Sequence, residues 1–348
     1  MIPKNAALPI VTVSAEGARA SAAQALKRGV EFYEMPVREI VNRCTNSRLP
    51  FEWTINPYRG CEFGCVYCYA RYTHEFLELP DPMDFERRIF FKAGAARALA
   101  HALSAGRLDE GTIALGTATD PYQPAERRFK LTRSLLELFA SACGLSLSVT
   151  TKSHLIVRDL ELLRSISRRS TLTVNFSLIT LNRRLQRILE PRAPRPALRL
   201  RALAVLSAAG IRCNLLVMPV IPGLTDREAA LESLLKAARR AGAAQVWWRS
   251  LFLKPAAARR FFPFVREKLP ELAQEIERLY GSRAYAPREY EQRFGETFGK
   301  LKLACGFADE PRRSPASQAA QPQRQFALFD KNLRGFDCRR AGSARPSA

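Results

Sequence analysis

Between Trp53 and Phe252 the chain alternates short apolar runs, rich in β-branched and aromatic residues, with longer stretches at helical spacing. The runs predict strands at Trp53–Tyr58, Thr112–Thr117, Leu145–Thr151, Leu172–Leu178, Arg212–Met218 and Gln245–Phe252. The stretches predict helices at Glu126–Cys143, Asp159–Arg168, Arg183–Leu189, Ala197–Ala209 and Asp226–Ala241, with Gly144 and Gly210 as left-handed caps after two of them. Strands alternating with helices imply parallel pairing through right-handed crossovers. Six such units suit an α/β fold built as a partial, open (βα)6 TIM-like barrel, with a doubly wound sheet as the alternative. In either architecture ligands gather at the C-terminal ends of the strands.

The flanks read differently. Residues 1–50 form an N-terminal extension packing outside the barrel, and residues 51–305 form the barrel with C-terminal helices, the last over Pro287–Leu303. Residues 306–348 turn to Pro, Ser, Gln, Ala and Arg, the composition of a mostly disordered basic tail. Overall usage, 47% hydrophobic and 25% charged, is that of a globular protein. No apolar run approaches the length of a membrane span, and the weak run after Lys4 reads as an arm rather than a signal peptide.

Charge adds a candidate partner. The net charge is +22, and 44 of the 55 basic residues are Arg. Arg158–Arg201 holds 11 Arg against three acids, for a local net of +8. A field of this size favours polyanions, nucleic acid first; a skewed genome composition is the competing explanation of the Arg excess.

Cysteine use points to a metal site in a cytoplasmic protein. Of eight cysteines, Cys61, Cys65 and Cys68 fall within eight positions and the others are scattered. The spacing C-x3-C-x2-C follows the first strand. Thiolates select zinc or iron–sulfur clusters. A structural zinc wants a fourth ligand, and His74 is the nearest imidazole. Three thiolates on a four-iron cluster instead leave one iron open to a substrate or cofactor. Gly60 and Gly64 permit the tight wrapping of such a loop.

The trio, with Tyr67 before its third Cys and six βα units behind it, resembles the radical S-adenosylmethionine (SAM) superfamily. The longer segment Asn56-Pro-Tyr-Arg-Gly-Cys61 through Cys68-Tyr-Ala-Arg71 is similar to its spore photoproduct lyase-like branch, loosely called DNA repair photolyases. The resemblance runs over about Pro50–Leu253. It implies a [4Fe–4S] cluster on Cys61, Cys65 and Cys68, with SAM chelating the open iron. It implies Tyr67 near the adenine, Lys152 near the SAM carboxylate, Asn175 and Ser177 near its ribose or amino acid portion, and Ile221 to Gly223 as the adenine wall. Thr119 and Asp120, at the end of strand two, are further cofactor-binding candidates, and Tyr69 a radical relay. An electron donor such as flavodoxin or ferredoxin is implied as a partner.

One residue departs from that branch. Where the spore lyase carries a hydrogen-donating Cys at the end of strand two, this chain has Thr117, a far poorer donor. A radical SAM enzyme acting on nucleic acid in DNA repair-like chemistry is therefore expected, without commitment to that route. An RNA-modifying radical SAM enzyme and a non-catalytic, metal-stabilised nucleic-acid-binding module are the alternatives. Trp247-Trp248 reads as core packing rather than as a base-stacking platform. In the tail, Gln325-Phe-Ala-Leu328-Phe329 is similar to the peptides that grip the bacterial sliding clamp, with Gln325 as the polar contact and Leu328 and Phe329 as anchors.

Overall fold

The computed structural model describes residues 25–27, 29–46, 49–108, 110–281 and 283–308. The clamp-like segment Gln325–Phe329 and the rest of the tail from 309 onward lie outside the described residues, as do residues 1–24.

Two sheets organise the chain. A small one has the order β1-β2-β6-β5, from β1 (Ala25–Lys27), β2 (Val30–Glu34), β5 (Tyr58–Arg59) and β6 (Arg88–Phe91). The large one runs β11-β10-β9-β8-β7-β4-β3. Its members are β3 (Val41–Arg43), β4 (Trp53–Ile55), β7 (Thr112–Leu115), β8 (Ser146–Thr151), β9 (Thr171–Ser177), β10 (Arg212–Val220) and β11 (Gln245–Ser250). The six strands from β4 onward pair in parallel, each with its sequence neighbour in the large sheet, while β3 caps the β4 edge antiparallel. This is the open barrel of six parallel strands expected from the alternation.

Helices fill the crossovers: α1 (Ala95–Ser104), α2 (Leu131–Ser141), α3 (Leu160–Arg169), α4 (Arg183–Leu189), α5 (Pro196–Ala208) and α6 (Glu228–Arg240). After β11 follow α7 (Pro255–Lys268), α8 (Pro270–Tyr280) and α9 (Arg288–Ala304). Each crossover helix has one apolar stripe; α3, for example, buries Leu163 and Ile166 and leaves its Arg residues outward. The core is one cluster of aliphatic side chains from the parallel strands and these stripes, with Ile55, Leu115, Val149, Val174, Leu215 and Val217 essentially inaccessible.

Three local expectations change. The first barrel strand stops at Ile55, because Pro57 has no N–H for a ladder and the chain moves into the small sheet at Tyr58. The helix expected over Glu126–Cys143 is broken at Lys130, which takes φ +51°. The break is held by buried Glu126, whose carboxylate accepts from the backbone N–H groups of Thr132 and Arg133, the Tyr58 hydroxyl and Arg158. The segment before Pro50 also does more than pack outside the barrel, since β3 is one of the large sheet's strands.

Trp248 packs edge-on against Phe294 at 4.7 Å, and Trp247 lies under the Lys302 ammonium at 5.0 Å. Both tryptophans belong to the packing of α9, in keeping with core packing rather than base stacking.

Candidate active site

The cysteine loop begins two residues after β5 and lies over the C-terminal mouth of the barrel. Its entry is Gly60, at φ +86°; a Cβ there would lie 2.9 Å from the carbonyl oxygens of both Phe85 and Arg88. Only glycine fits such a close approach. Three groups clamp this turn. The Thr119 hydroxyl donates to the Gly60 carbonyl at 2.6 Å, Gln123 Nε2 donates to the same oxygen at 3.1 Å, and the Glu62 N–H donates to Gln123 Oε1 at 2.9 Å. Further along, buried Arg71 donates to the Cys65 carbonyl at 2.9 Å and to Glu86 Oε2 at 2.8 Å. The Val66 N–H donates to Leu189 O at 3.0 Å, anchoring the loop to the end of α4.

Cys61 and Cys65 are buried and Cys68 is half-buried, along two successive turns in which Gly64 N–H donates to Cys61 O and Cys68 N–H to Cys65 O. Burial pushes all three thiols up, Cys65 to about 12, while the Lys152 charge pulls Cys65 down. Among the described residues no three His, Cys, Asp or Glu converge closely enough to hold a single ion. One zinc would need sulfurs about 3.8 Å apart, given Zn–S bonds of about 2.3 Å. Three soft donors on one loop have the chemistry that zinc or an iron–sulfur cluster takes.

His74 does not complete a zinc site. Its Nε2 pairs with the Arg88 carbonyl at 2.9 Å, and its ring sits edge-on to Phe85 and Phe90. Burial lowers its pKa from 6.5 to about 4. As pH falls the unfolded chain binds this proton first, so the stability lost between about pH 6.5 and 4 should reach about 3 kcal/mol. Urea midpoints at pH 7 and pH 5 should show part of this loss, and His74→Gln should flatten it; an equal loss in that variant would assign it to other groups.

Beside the trio lies a buried charge network. Glu190 follows α4, and Arg199 comes from α5. Both side chains are fully buried; Arg199 donates to Glu190 Oε2 and the Tyr67 hydroxyl donates to Glu190 Oε1. Arg199 also donates to Ser177 O at 3.0 Å and Pro194 O at 2.8 Å. Lys152, at the end of β8, donates to the Ser177 hydroxyl at 2.9 Å, stands 3.9 Å from Glu190 and lies 5.8 Å from the Tyr67 ring. Burial alone would lower its pKa, but the Cys65 and Glu190 charges outweigh that and raise it, so it stays an ammonium. Burial likewise works against the Glu190 carboxylate, and the Arg199 and Lys152 cations overcome it and hold its pKa down. Arg199 neutralises Glu190, which leaves Lys152 as a positive charge beside the trio.

The other expected residues fall around this mouth in different roles. Asp120 is buried and accepts from the Thr151 hydroxyl and the Lys152 N–H, both at 2.7 Å, so it positions the Lys152 backbone. Asn175 donates to Ser148 Oγ and accepts from Asn214 Nδ2, and Asn214 Oδ1 has no partner. Ser177 joins Lys152 to the Met218 carbonyl. Ile221 is buried; Gly223, at φ +72°, donates to Asp226 Oδ2 at 3.0 Å. Tyr69 is exposed at the rim and its hydroxyl donates to Thr117 O. The Thr117 hydroxyl itself accepts from Asn56 Nδ2 at 3.1 Å.

The family model for the radical SAM superfamily matches residues 55–235, from the end of β4 through the barrel into α6. The chain belongs to the radical SAM superfamily. A 35% identical relative, an uncharacterized protein of Mycobacterium tuberculosis (strain ATCC 25618 / H37Rv), aligns over 303 residues, 86% of this chain and 89% of its own. An uncharacterized protein of Methanocaldococcus jannaschii is 29% identical over 51% of this chain and 63% of its own. Among solved structures, a spore photoproduct lyase mutant with bound SAM and a dinucleoside spore photoproduct superposes with a TM-score of 0.58, covering 79% of each chain at 17% identity. That likeness is one of fold.

Within this superfamily site, sequence reasoning missed Glu190, Arg199, Gln123 and Arg71. Arg71 closes the cysteine segment without a role legible there, no motif marks the other three, and buried charge is not visible in a chain with so many Arg. The basic stretch Arg158–Arg201 is likewise not one surface. Arg199 is buried on Glu190, Arg158 pairs with Glu126 and Asp159, and Arg192 reaches the Glu86 carbonyl. Arg183, Arg184 and Arg187 of α4 remain exposed.

Proposed function

We propose that this radical SAM protein holds a [4Fe–4S] cluster on Cys61, Cys65 and Cys68 and cleaves SAM to act on a nucleic acid. The observation that carries the reading is the pairing of an open thiolate trio with Lys152, a cation beside it at the barrel mouth that Glu190 alone does not neutralise. A cluster held by Cys61, Cys65 and Cys68 would supply the electron for reductive SAM cleavage and so for hydrogen-atom abstraction from substrate. The chain's residues bind, orient and exclude water around that chemistry. Lys152 offers a positive charge for the SAM carboxylate, steadied by Ser177 and by Asp120 on its backbone. Asn175 and Asn214, with an unpartnered amide oxygen, offer polar contacts for the ribose or amino acid portion. Ile221 and Gly223 supply an apolar wall for the adenine, and Tyr67 stands on the cluster side.

Nucleic acid as substrate is supported by the +22 charge, by exposed Arg183, Arg184 and Arg187 beside the mouth, and by the spore lyase fold. An electron donor of the flavodoxin or ferredoxin kind completes the cycle. Thymine-dimer reversal through a thiol donor is disfavoured. Among the described residues outside the trio, Cys44, Cys143, Cys213 and Cys305 all lie toward the N-terminal ends of the barrel strands, away from the mouth; Cys338 lies outside the described residues. Tyr69 at the rim is the better placed candidate for relaying a radical.

The test is anaerobic reconstitution with iron and sulfide, then a SAM-cleavage assay with and without single-stranded DNA, duplex DNA and tRNA. 5′-Deoxyadenosine formation stimulated by one of these supports the reading. Stoichiometric zinc with no SAM cleavage would replace it with a metal-stabilised binding module.

A further inference from the structure

The rim next to Tyr69 carries two aromatic rings that the site described above does not use, half-buried Phe252 and exposed Tyr285. Phe252, just beyond β11, stacks on Tyr285 with ring centroids 4.6 Å apart and planes 28° from parallel. Tyr69 lies 6.3 Å from the same Phe252 ring. Tyr285 is 64% exposed and Tyr69 41% exposed, both large values for tyrosines packed on one phenylalanine ring. The stack is held from behind by backbone pairing, since Leu253 N–H donates to Ala284 O at 2.8 Å. It is therefore a preformed ledge.

Cations border it. The Lys254 ammonium sits 3.9 Å over the Tyr72 ring and 6.0 Å from Phe252. Arg59 of β5, whose charge acts on the same Tyr72, and Lys92, just after β6, lie on one face of the small sheet. The register pairs Tyr58 with Phe91 and Arg59 with Phe90, and Lys92 N–H donates to Pro57 O. Tyr58 and Phe91 face the inner core, so Arg59 and Lys92 share the opposite face with Phe90. Among the described residues none of the three cations has a carboxylate partner. Burial and the Arg59 charge lower Lys92 to about 7, as expected for two half-buried cations with no anion between them. A bound phosphate would relieve that repulsion.

We propose that Tyr285, Phe252 and Tyr69 form a stacking ledge for unpaired bases of the substrate strand, and that Lys254, Arg59 and Lys92 hold the phosphates flanking those bases. The inference rests on the reading of the substrate as nucleic acid and names the form it takes at the mouth, a single-stranded or locally opened segment. Aromatic faces and unpaired cations in alternation suit such a segment, because every base has a π face and every linkage a charge.

The test uses the full-length protein and a fluorescein-labelled 12-nucleotide oligothymidylate, followed by anisotropy across a salt series. Tyr285→Ala should weaken binding about tenfold, within the range for loss of one stacked base. Tyr285→Phe should retain affinity, since it keeps the ring. Lys254→Gln should reduce the slope of log K against log salt by about 0.7, one phosphate contact on a single strand. If wild-type protein binds the oligonucleotide and Tyr285→Ala binds it equally well, the ledge is wrong and the nucleic-acid reading stands. The ledge is equally wrong if duplex is preferred and Tyr285→Ala leaves that preference unchanged. If wild-type protein binds neither DNA nor RNA at low salt, the nucleic-acid reading falls and the ledge with it.

Discussion

Replacing any one of Cys61, Cys65 or Cys68 with Ala is expected to abolish reductive SAM cleavage and to strip most of the reconstituted iron. A four-iron cluster on three thiolates has no spare protein ligand, so losing one leaves two irons open where the site closes around one. The fold should survive, because the loop is clamped independently of the sulfurs. Thr119 and Gln123 hold the Gly60 carbonyl, and Arg71 holds Cys65 O and Glu86. The checks are iron content, the visible absorption of the reconstituted protein, 5′-deoxyadenosine yield and the circular dichroism of each variant. Full SAM cleavage by a Cys65→Ala variant would remove the trio from the chemistry.

Glu190→Gln should produce the largest loss of stability of any single change at the site. It leaves the Arg199 guanidinium, with no side-chain exposure, without its counter-charge. Removing one member of a buried pair costs about 3–5 kcal/mol, most of it the penalty of the stranded partner. The double variant Glu190→Gln, Arg199→Met should recover a large part of that loss, since it strands nothing. The two can be compared by urea midpoint at pH 7. On the proposed reading Glu190 also sets the SAM site, because it carries the Tyr67 hydroxyl and stands 3.9 Å from Lys152. Lys152→Ala should by contrast leave the fold nearly unchanged and raise the SAM concentration needed for cleavage. Equal stability in wild type and Glu190→Gln would mean that the pair contributes nothing net.

Much of the architecture is decided locally. Alternating apolar runs and amphipathic stretches specify six parallel strands with helical crossovers, because period-2 and period-3.6 patterns bury their faces only in those forms. The trio is equally local. Three thiolates within eight residues, with glycines where the backbone needs positive φ, carry their chemistry in spacing alone. The places of Lys152, Asn175, Ser177 and Gly223 at or near strand ends were legible because the apolar pattern fixes where each strand runs and stops.

What the sequence could not determine depends on contacts between distant segments. Glu190 and Arg199 look like two more charges in a basic stretch until β9, α4 and α5 fold them inward on Tyr67, 123 residues earlier in the case of Glu190. Asp120 reads as a ligand candidate until Thr151 and the Lys152 N–H occupy its oxygens. Tyr285 is one tyrosine among nine until its backbone pairing with Phe252 stacks it on the ring that Tyr69 also meets. Burial and charge pairing are properties of the assembled molecule. A residue type states what a side chain can do, and only its neighbours in space decide whether it is free to do it.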